Sequence, residues 1–327
     1  MIRSQLDRFA ATIKASHKRQ PVLFWIRVAI VAVVIALFSV QRSIWTPDTL
    51  FLILLALFVV LGQARTFIIR FAPFLLLLLT YDSFRAIADD LNNNVHFWEM
   101  IHVDIWMFGG LPTAVLQDWW WHGYLQWYDF YFYFLYTIHF LAPVLLAVLF
   151  WKLRPNLYWP FVWGLVGLSF AAFVTYVVFP AAPPWMASDL GYIEPIHRIS
   201  SDVWYAMGVT DFSKVYSELS PNPVAAVPSL HSAYPMLFAL FLVKAFGWRR
   251  MGWVYVYPVS MWVGVTYLGE HYVIDAILGA LYAVIAYFVA IQFFNYGRKQ
   301  SWWDFEAQYN RGHDKATTWV HSRRYKS

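Results

Sequence analysis

Gly269-Glu270-His271-Tyr272-Val273-Ile274-Asp275 heads an apolar run that continues to residue 296, long enough to cross a bilayer as a helix. Some forty residues earlier, Pro228-Ser229-Leu230-His231 opens another apolar run in the same way. Both segments place ionisable groups where a membrane helix begins. His271 and Asp275 stand four apart, so on a helix they share one face and the carboxylate reaches an imidazole N–H. Such a pair suits a nucleophilic or basic histidine, the carboxylate fixing its tautomer and stabilising the cation. His231 is then placed to serve as acid and base from a neighbouring helix.

The rest of the chain has the composition of an all-α polytopic membrane protein. Of its 327 residues 60% are hydrophobic and 13% charged, against about half and a quarter in soluble domains. The 19 Trp and 21 Tyr fit rings at the headgroup level. The absence of cysteine excludes disulfides, thiolate nucleophiles and cysteine metal sites. Residues 1–20 are polar and basic and no small-residue cleavage site follows the first apolar run, which reads as an uncleaved span. Ile2, Leu6, Phe9 and Ile13 recur among basic residues there, as in an amphipathic helix on an anionic membrane surface or, equally, a solvated tail.

Apolar runs predict eight spans, at 22–40, 48–63, 66–82, 130–151, 157–179, 229–246, 251–269 and 271–296. Residues 83–129 mix acidic and aromatic residues around the turn Phe108-Gly109-Gly110-Leu111-Pro112, and read as helices along the outer membrane surface. A second polar loop, 180–228, opens with Phe179-Pro180-Ala181-Ala182-Pro183-Pro184-Trp185, whose prolines read as a wall of the site. Eight spans put both termini on one side, and of the 24 Lys and Arg only Arg42, Arg85, Arg198 and Lys214 fall on the other. Positive residues favour the cytoplasm, so the termini are expected there, in the plasma (inner) membrane. Ser229, His231, His271, Asp275, Asp82, Arg85 and the Pro-Pro-Trp turn then meet at the extracytoplasmic face.

A site at that depth meets lipid headgroups. Two histidines, a carboxylate and a hydroxyl suit phosphoryl transfer through a phosphohistidine. His271 attacks phosphorus, Asp275 stabilises the imidazolium, and His231 protonates the departing oxygen and then activates the acceptor. Ser229 and the first N–H groups of its helix are placed to donate to phosphate oxygens, or Ser229 serves as a helix cap. Phosphoryl transfer calls for positive charge; the outer side offers Arg85, Arg198 and Lys214, chosen on charge alone. Arg85 is also close enough in sequence to pair with Asp82 or Asp89. The scheme needs no metal or other cofactor and no nucleic acid. His96, Glu99, His102 and Asp104 have a spacing that a metal can use, but they fall in an aromatic surface helix with no evident supporting groups. Glu270 tunes His271 or faces water, and His139, inside a span, reads as packed or lipid-facing.

Pro228-Ser229-Leu230-His231 and His271-x-x-x-Asp275 resemble the second and third motifs of the type 2 phosphatidic acid phosphatase (PAP2) superfamily, and Gly264 to Gly279 follows the pattern around the third. The resemblance implies a six-helix core, within 130–296 plus part of the N-terminal spans, and a nucleophile at His271. Residues 1–129 would then carry the amphipathic segment, three spans and the surface helices, and 297–327 a basic cytoplasmic tail. The first family motif, Lys-x6-Arg-Pro, is absent, since Arg154-Pro155 falls on the cytoplasmic side. Gly264-Val265 stands where Ser-Arg is customary, and Leu230 replaces a glycine. The Tyr81–Arg85, Phe108–Gln117 and Pro180–Trp185 stretches look instead like the inositol phosphotransferase branch, which includes inositol phosphorylceramide synthase.

That branch implies transfer of a phosphorylated headgroup, such as inositol phosphate, from a phospholipid donor to a lipid acceptor. The alternative is a PAP2-type phosphatase in which water replaces the acceptor on a lipid phosphate or diphosphate. The catalytic residues alone do not separate the two, and the sequence leaves the oligomeric state open. A transporter fits less well, because the ionisable residues gather at one face rather than the midplane.

Overall fold

Prolines open several of the helices in the computed structural model, which describes residues 21–41, 47–60, 63–85, 87–208 and 222–299. The expected amphipathic segment at 1–20, together with Arg42, Lys214 and the tail from residue 300, lies outside them. Helices α1 (Pro21–Gln41), α2 (Pro47–Val60) and α3 (Ala64–Arg85) come first, α3 carrying Pro73 internally. Short helices α4 (Ala88–Leu91), α5 (Trp98–Phe108) and α6 (Pro112–Trp120) follow where surface helices were expected. Gly109 adopts φ 75° to end α5, and Pro112 starts α6 at a position whose N–H has no helical partner in any case.

The span expected at 130–151 is broken. It forms α7 (Trp127–Ile138) and α8 (Ala142–Leu153), bent by 58°. Pro143 explains the break, since its ring and missing N–H prevent α7 from running on through it. Next come α9 (Pro155–Val178), then α10 (Pro184–Asp189) and α11 (Ile199–Ala206) within the long polar loop. After α12 (Leu230–Phe246), the run at 251–269 divides into α13 (Trp248–Met251), a 3-10 turn (Gly252–Tyr255) and α14 (Val256–Tyr267). The final helix, α15, spans Val273–Lys299.

Helices α3, α9 and α15 are each long and apolar enough to cross a membrane, and α7 with α8 makes a fourth if the bent pair is one span. The other four expected spans coincide with α1, α2, α12 and α14, of which α12 and the Pro21–Val33 stretch of α1 are apolar but shorter. No named strand occurs among the described residues. The chain is thus a helical membrane protein.

Hydrocarbon gives helices no hydrophobic reason to associate, so contact area and close backbone approach must hold them. Phe58, Phe67 and Phe71 stack in series with ring centroids 4.8 and 4.6 Å apart, and Trp151 and Tyr158 pack on their flank. Small residues bring the helix backbones together. A Cβ on Gly164 of α9 would meet Ala290 of α15 at 3.3 Å. One on Gly279 of α15 would collide with the carbonyl oxygen of Ser229 at the head of α12.

Candidate active site

Three irregular segments carry the head of α12 into place. His96 donates to the Pro180 carbonyl at 2.8 Å and its own carbonyl accepts from Ala182 at 3.0 Å. Ala181 donates to the Val224 carbonyl at 2.8 Å and accepts from Ala226 at 3.3 Å. The Pro180–Pro184 turn is therefore the middle rung between residues 92–97 and 222–229. Tyr176 Oη donates to the Pro228 carbonyl at 2.9 Å, and Ser229 Oγ accepts from the Ser232 N–H at 3.3 Å, capping α12.

The His271 segment is held from several elements. Gly269 takes φ 81°, and its carbonyl accepts from the Trp185 N–H at 3.1 Å. The N–H groups of Glu270 and His271 converge on the Val265 carbonyl at 3.0 and 3.1 Å. Gln117 of α6 donates to the His197 and Tyr267 carbonyls at 2.8 and 2.9 Å. Asp104 of α5 accepts from the Val273 and Ile274 N–H groups at 2.9 and 3.0 Å, which caps α15 from another part of the chain. Asp275 reaches back to the Tyr272 N–H at 2.9 Å, the acidic half of a capping box. His271 thus lies just before the helix rather than on its face, and this backward reach is what brings the pair together.

His271 Nδ1 is 3.4 Å from Asp275 Oδ2, and His271 Nε2 is 3.4 Å from His231 Nδ1. Both separations sit at the outer limit of hydrogen bonding, as catalytic contacts often do without substrate. A proton on Nδ1 directed at Asp275 leaves the Nε2 lone pair of His271 facing His231. Asp275 is fully buried and its carbonyl accepts from the Ser229 N–H at 3.1 Å, so the two motifs also meet through the backbone. Tyr136 stacks on His231 with centroids 4.0 Å apart and fixes its plane.

Both histidines open on a cavity of about 90 Å³ that Tyr81, Asp82, Arg85, His139, Pro183 and Asn222 also line. Arg85 is therefore beside the histidines, with Tyr81 and Asp82 as electrostatic neighbours. Arg198 is placed otherwise. It grips the buried Glu270 carboxylate from Nε at 2.9 Å and Nη2 at 3.2 Å, and lies 3.9 Å over the Trp185 ring. Ser200 donates to the same carboxylate. Ser229 is buried as a cap, and Lys214 is outside the described residues.

The spacing that suggested a metal resolves differently. His96 bonds Glu99 at 2.6 Å and holds that carboxyl below its usual range, while His102 stacks on Trp98. Asp104 turns the other way to cap α15; burial pushes it up to about 6 against the pull of its two N–H donors, and the Asp275 charge adds to the rise. Among the described residues no three His, Asp or Glu side chains are grouped to hold a metal.

His139 is packed, the first of its two sequence readings, and is also beside the site. It sits at the α7–α8 break, 4.5 Å from the His231 ring and stacked on Tyr234 at 4.6 Å, and it lines the cavity. Asn222, Tyr136 and the capping role of Asp104 were likewise not legible in the sequence. The only sequence signal for the first was a polar residue close before Pro228.

The sequence profile of a family described as the PAP2 superfamily matches residues 99–289, more than half of the chain. The phosphoinositol dihydroceramide synthase of Bacteroides thetaiotaomicron is 30% identical over 164 residues, 48% of this chain and 52% of that protein. The inositol phosphorylceramide synthase of Candida albicans is 30% identical over 162 residues, 46% of this chain and 33% of that protein. The chain thus spans about half, or less, of the length of the curated relatives it matches. No solved structure matches it.

Proposed function

Because the chain belongs to the PAP2 superfamily, we propose that it is a membrane phosphotransferase that moves a phosphorylated headgroup between lipids through a phosphohistidine at His271. The observation that carries this reading is the alignment of Asp275 Oδ2, the two ring nitrogens of His271 and His231 Nδ1, with each step at 3.4 Å, at the edge of one cavity. The relatives' names supply the groups: an inositol phosphate headgroup and a ceramide-type acceptor.

In the first half-reaction His271 Nε2 attacks the phosphorus of the donor phosphodiester. A P–N bond forms, the P–O bond to the departing lipid alcohol breaks, and protonated His231 gives its proton to that oxygen. Asp275 balances the positive charge on the phosphorylated ring and holds the Nδ1 proton. In the second half-reaction His231 takes the proton of the acceptor hydroxyl, whose oxygen attacks phosphorus while the P–N bond breaks. Arg85 supplies positive charge from the cavity wall. No cofactor enters either step.

The positive residues favour cytoplasmic termini in an inner membrane, with the site on the extracytoplasmic face, and the family resemblance favours residues 130–296 as the catalytic core. Reconstituted protein offered labelled phosphatidylinositol with ceramide, phosphatidic acid or polyprenyl diphosphate tests the reading. A new phosphorylated lipid is expected. Release of inorganic phosphate would make the protein a hydrolase, and lipid movement without bond cleavage would make it a transporter.

A further inference from the structure

Asn222 stands at the start of the segment that leads into Ser229 and His231. It is 3% exposed and lines the cavity on which both histidines open. Its Oδ1 accepts from the Val224 N–H at 3.0 Å, an Asx turn that fixes both the plane of the amide and which end of it is oxygen. The other end, Nδ2, is buried with no hydrogen-bond partner among the described residues. A buried amide donor left open is unfavourable unless a ligand completes it. Arg85 lines the same cavity and brings positive charge to it; Arg198, the other basic side chain expected there, pairs with Glu270. An acceptor-rich anion is the ligand that suits an open amide donor beside a positive charge.

We propose that Asn222 Nδ2 donates to a nonbridging oxygen of the phosphate group that His271 attacks, making Asn222 a substrate-binding residue of this site. The inference rests on the phosphotransfer reading and adds a neutral donor to the positive charge of Arg85 in the same cavity. It assigns Asn222 two separable tasks: Oδ1 holds the turn, and Nδ2 holds phosphate.

Asn222→Asp separates these tasks, because aspartate keeps the acceptor for the Val224 N–H and replaces the donor with an anion. Asn222→Ala removes both. The probe is orthovanadate, a phosphate-like anion, titrated into purified wild-type and variant protein, with lipid transfer and thermal midpoint measured on the same samples. The expected order of vanadate affinity is wild type, then N222A, then N222D. N222A loses about 10-fold and N222D up to about 100-fold, while N222D melts close to the wild type. If the side chain only shapes the turn, N222D binds like the wild type and N222A is the weaker variant, which overturns the proposal. Failure of the wild type to bind vanadate overturns it as well. Vanadate binding that N222D abolishes, in a protein that transfers no headgroup, would keep Asn222 and reject the transferase reading. Headgroup transfer that N222D leaves intact would do the reverse.

Discussion

Arg198 and Glu270 form a two-point ion pair at the edge of the cavity, one residue before His271, with Nε on Oε1 at 2.9 Å and Nη2 on Oε2 at 3.2 Å. Both side chains are largely withdrawn from solvent, at 16% and 4% exposure. The guanidinium is thereby placed to cancel a carboxylate that would repel a phosphate anion, which makes a test possible. Losing one member of such a pair leaves a buried charge uncompensated, at a cost of about 3–5 kcal/mol. Arg198→Gln is expected to depress headgroup transfer strongly, and adding Glu270→Gln is expected to recover part of the loss. The readout is kcat/KM across the four-protein cycle, with a coupling of about 1–3 kcal/mol. If Arg198 instead bound substrate phosphate itself, the double variant would be no better than R198Q.

The histidine–carboxylate relay predicts a different pattern. Asp275→Asn keeps the shape of the side chain but cannot balance the charge of a phosphorylated His271. Transfer should fall by about 10²–10⁴ in kcat, with KM little changed, by analogy with other carboxylate-supported histidines. His271→Ala should abolish transfer and the acid-labile label that a phosphohistidine leaves on the protein after incubation with labelled donor. Label retained in H271A would place the nucleophile elsewhere.

The sequence disclosed what depends on neighbours along the chain. Apolar run lengths located the helices, and the four-residue spacing of His271 and Asp275 paired them, although the pairing works through a turn ahead of α15 rather than a shared helix face. Features that depend on distant partners stayed hidden. Asp104 looked like one member of a metal-spaced set until its carboxylate was seen to meet N–H groups about 170 positions away. Arg198 was chosen for its charge alone, and charge does not say which of several acidic partners will claim it. His139 sat in an apolar stretch that read as one continuous span, and only the break ahead of Pro143 turns its ring to His231.

Asp104 gives a pH test that reads the cap directly. Its carboxyl is raised to about 6 by burial, above its unfolded value of about 3.9. A carboxyl shifted upward binds its proton more tightly in the folded protein, so its contribution to stability is full below the unfolded value and is lost as pH rises through the folded one. The span between the two corresponds to at most about 3 kcal/mol. Asp104→Asn keeps one acceptor for α15 but cannot titrate. Its melting temperature relative to wild type should therefore climb between pH 4 and about 6 and level off above. A difference that stays flat across this window would show that Asp104 is ionised throughout.

Gly279 tests whether the two motifs must touch through the backbone. A Cβ at this position would run into the Ser229 carbonyl oxygen, and the backbone nitrogen of Ala233 lies 3.3 Å from the same point. Neither is the end of a flexible side chain, so the strain of Gly279→Ala has to be relieved by moving α12 away from α15. That movement widens the 3.4 Å approach of His231 to His271, because the first rides on α12 and the second is tied to α15 through Asp275. A displacement near 1 Å in such a constellation costs about 100-fold in rate. G279A is therefore expected to lose kcat well beyond what its stability change explains. The control is Gly167→Ala on α9, where an added Cβ meets nothing within 4 Å. Equal activities for the two variants would mean that α12 and α15 have slack between them, and that some other contact sets the separation of the two imidazoles.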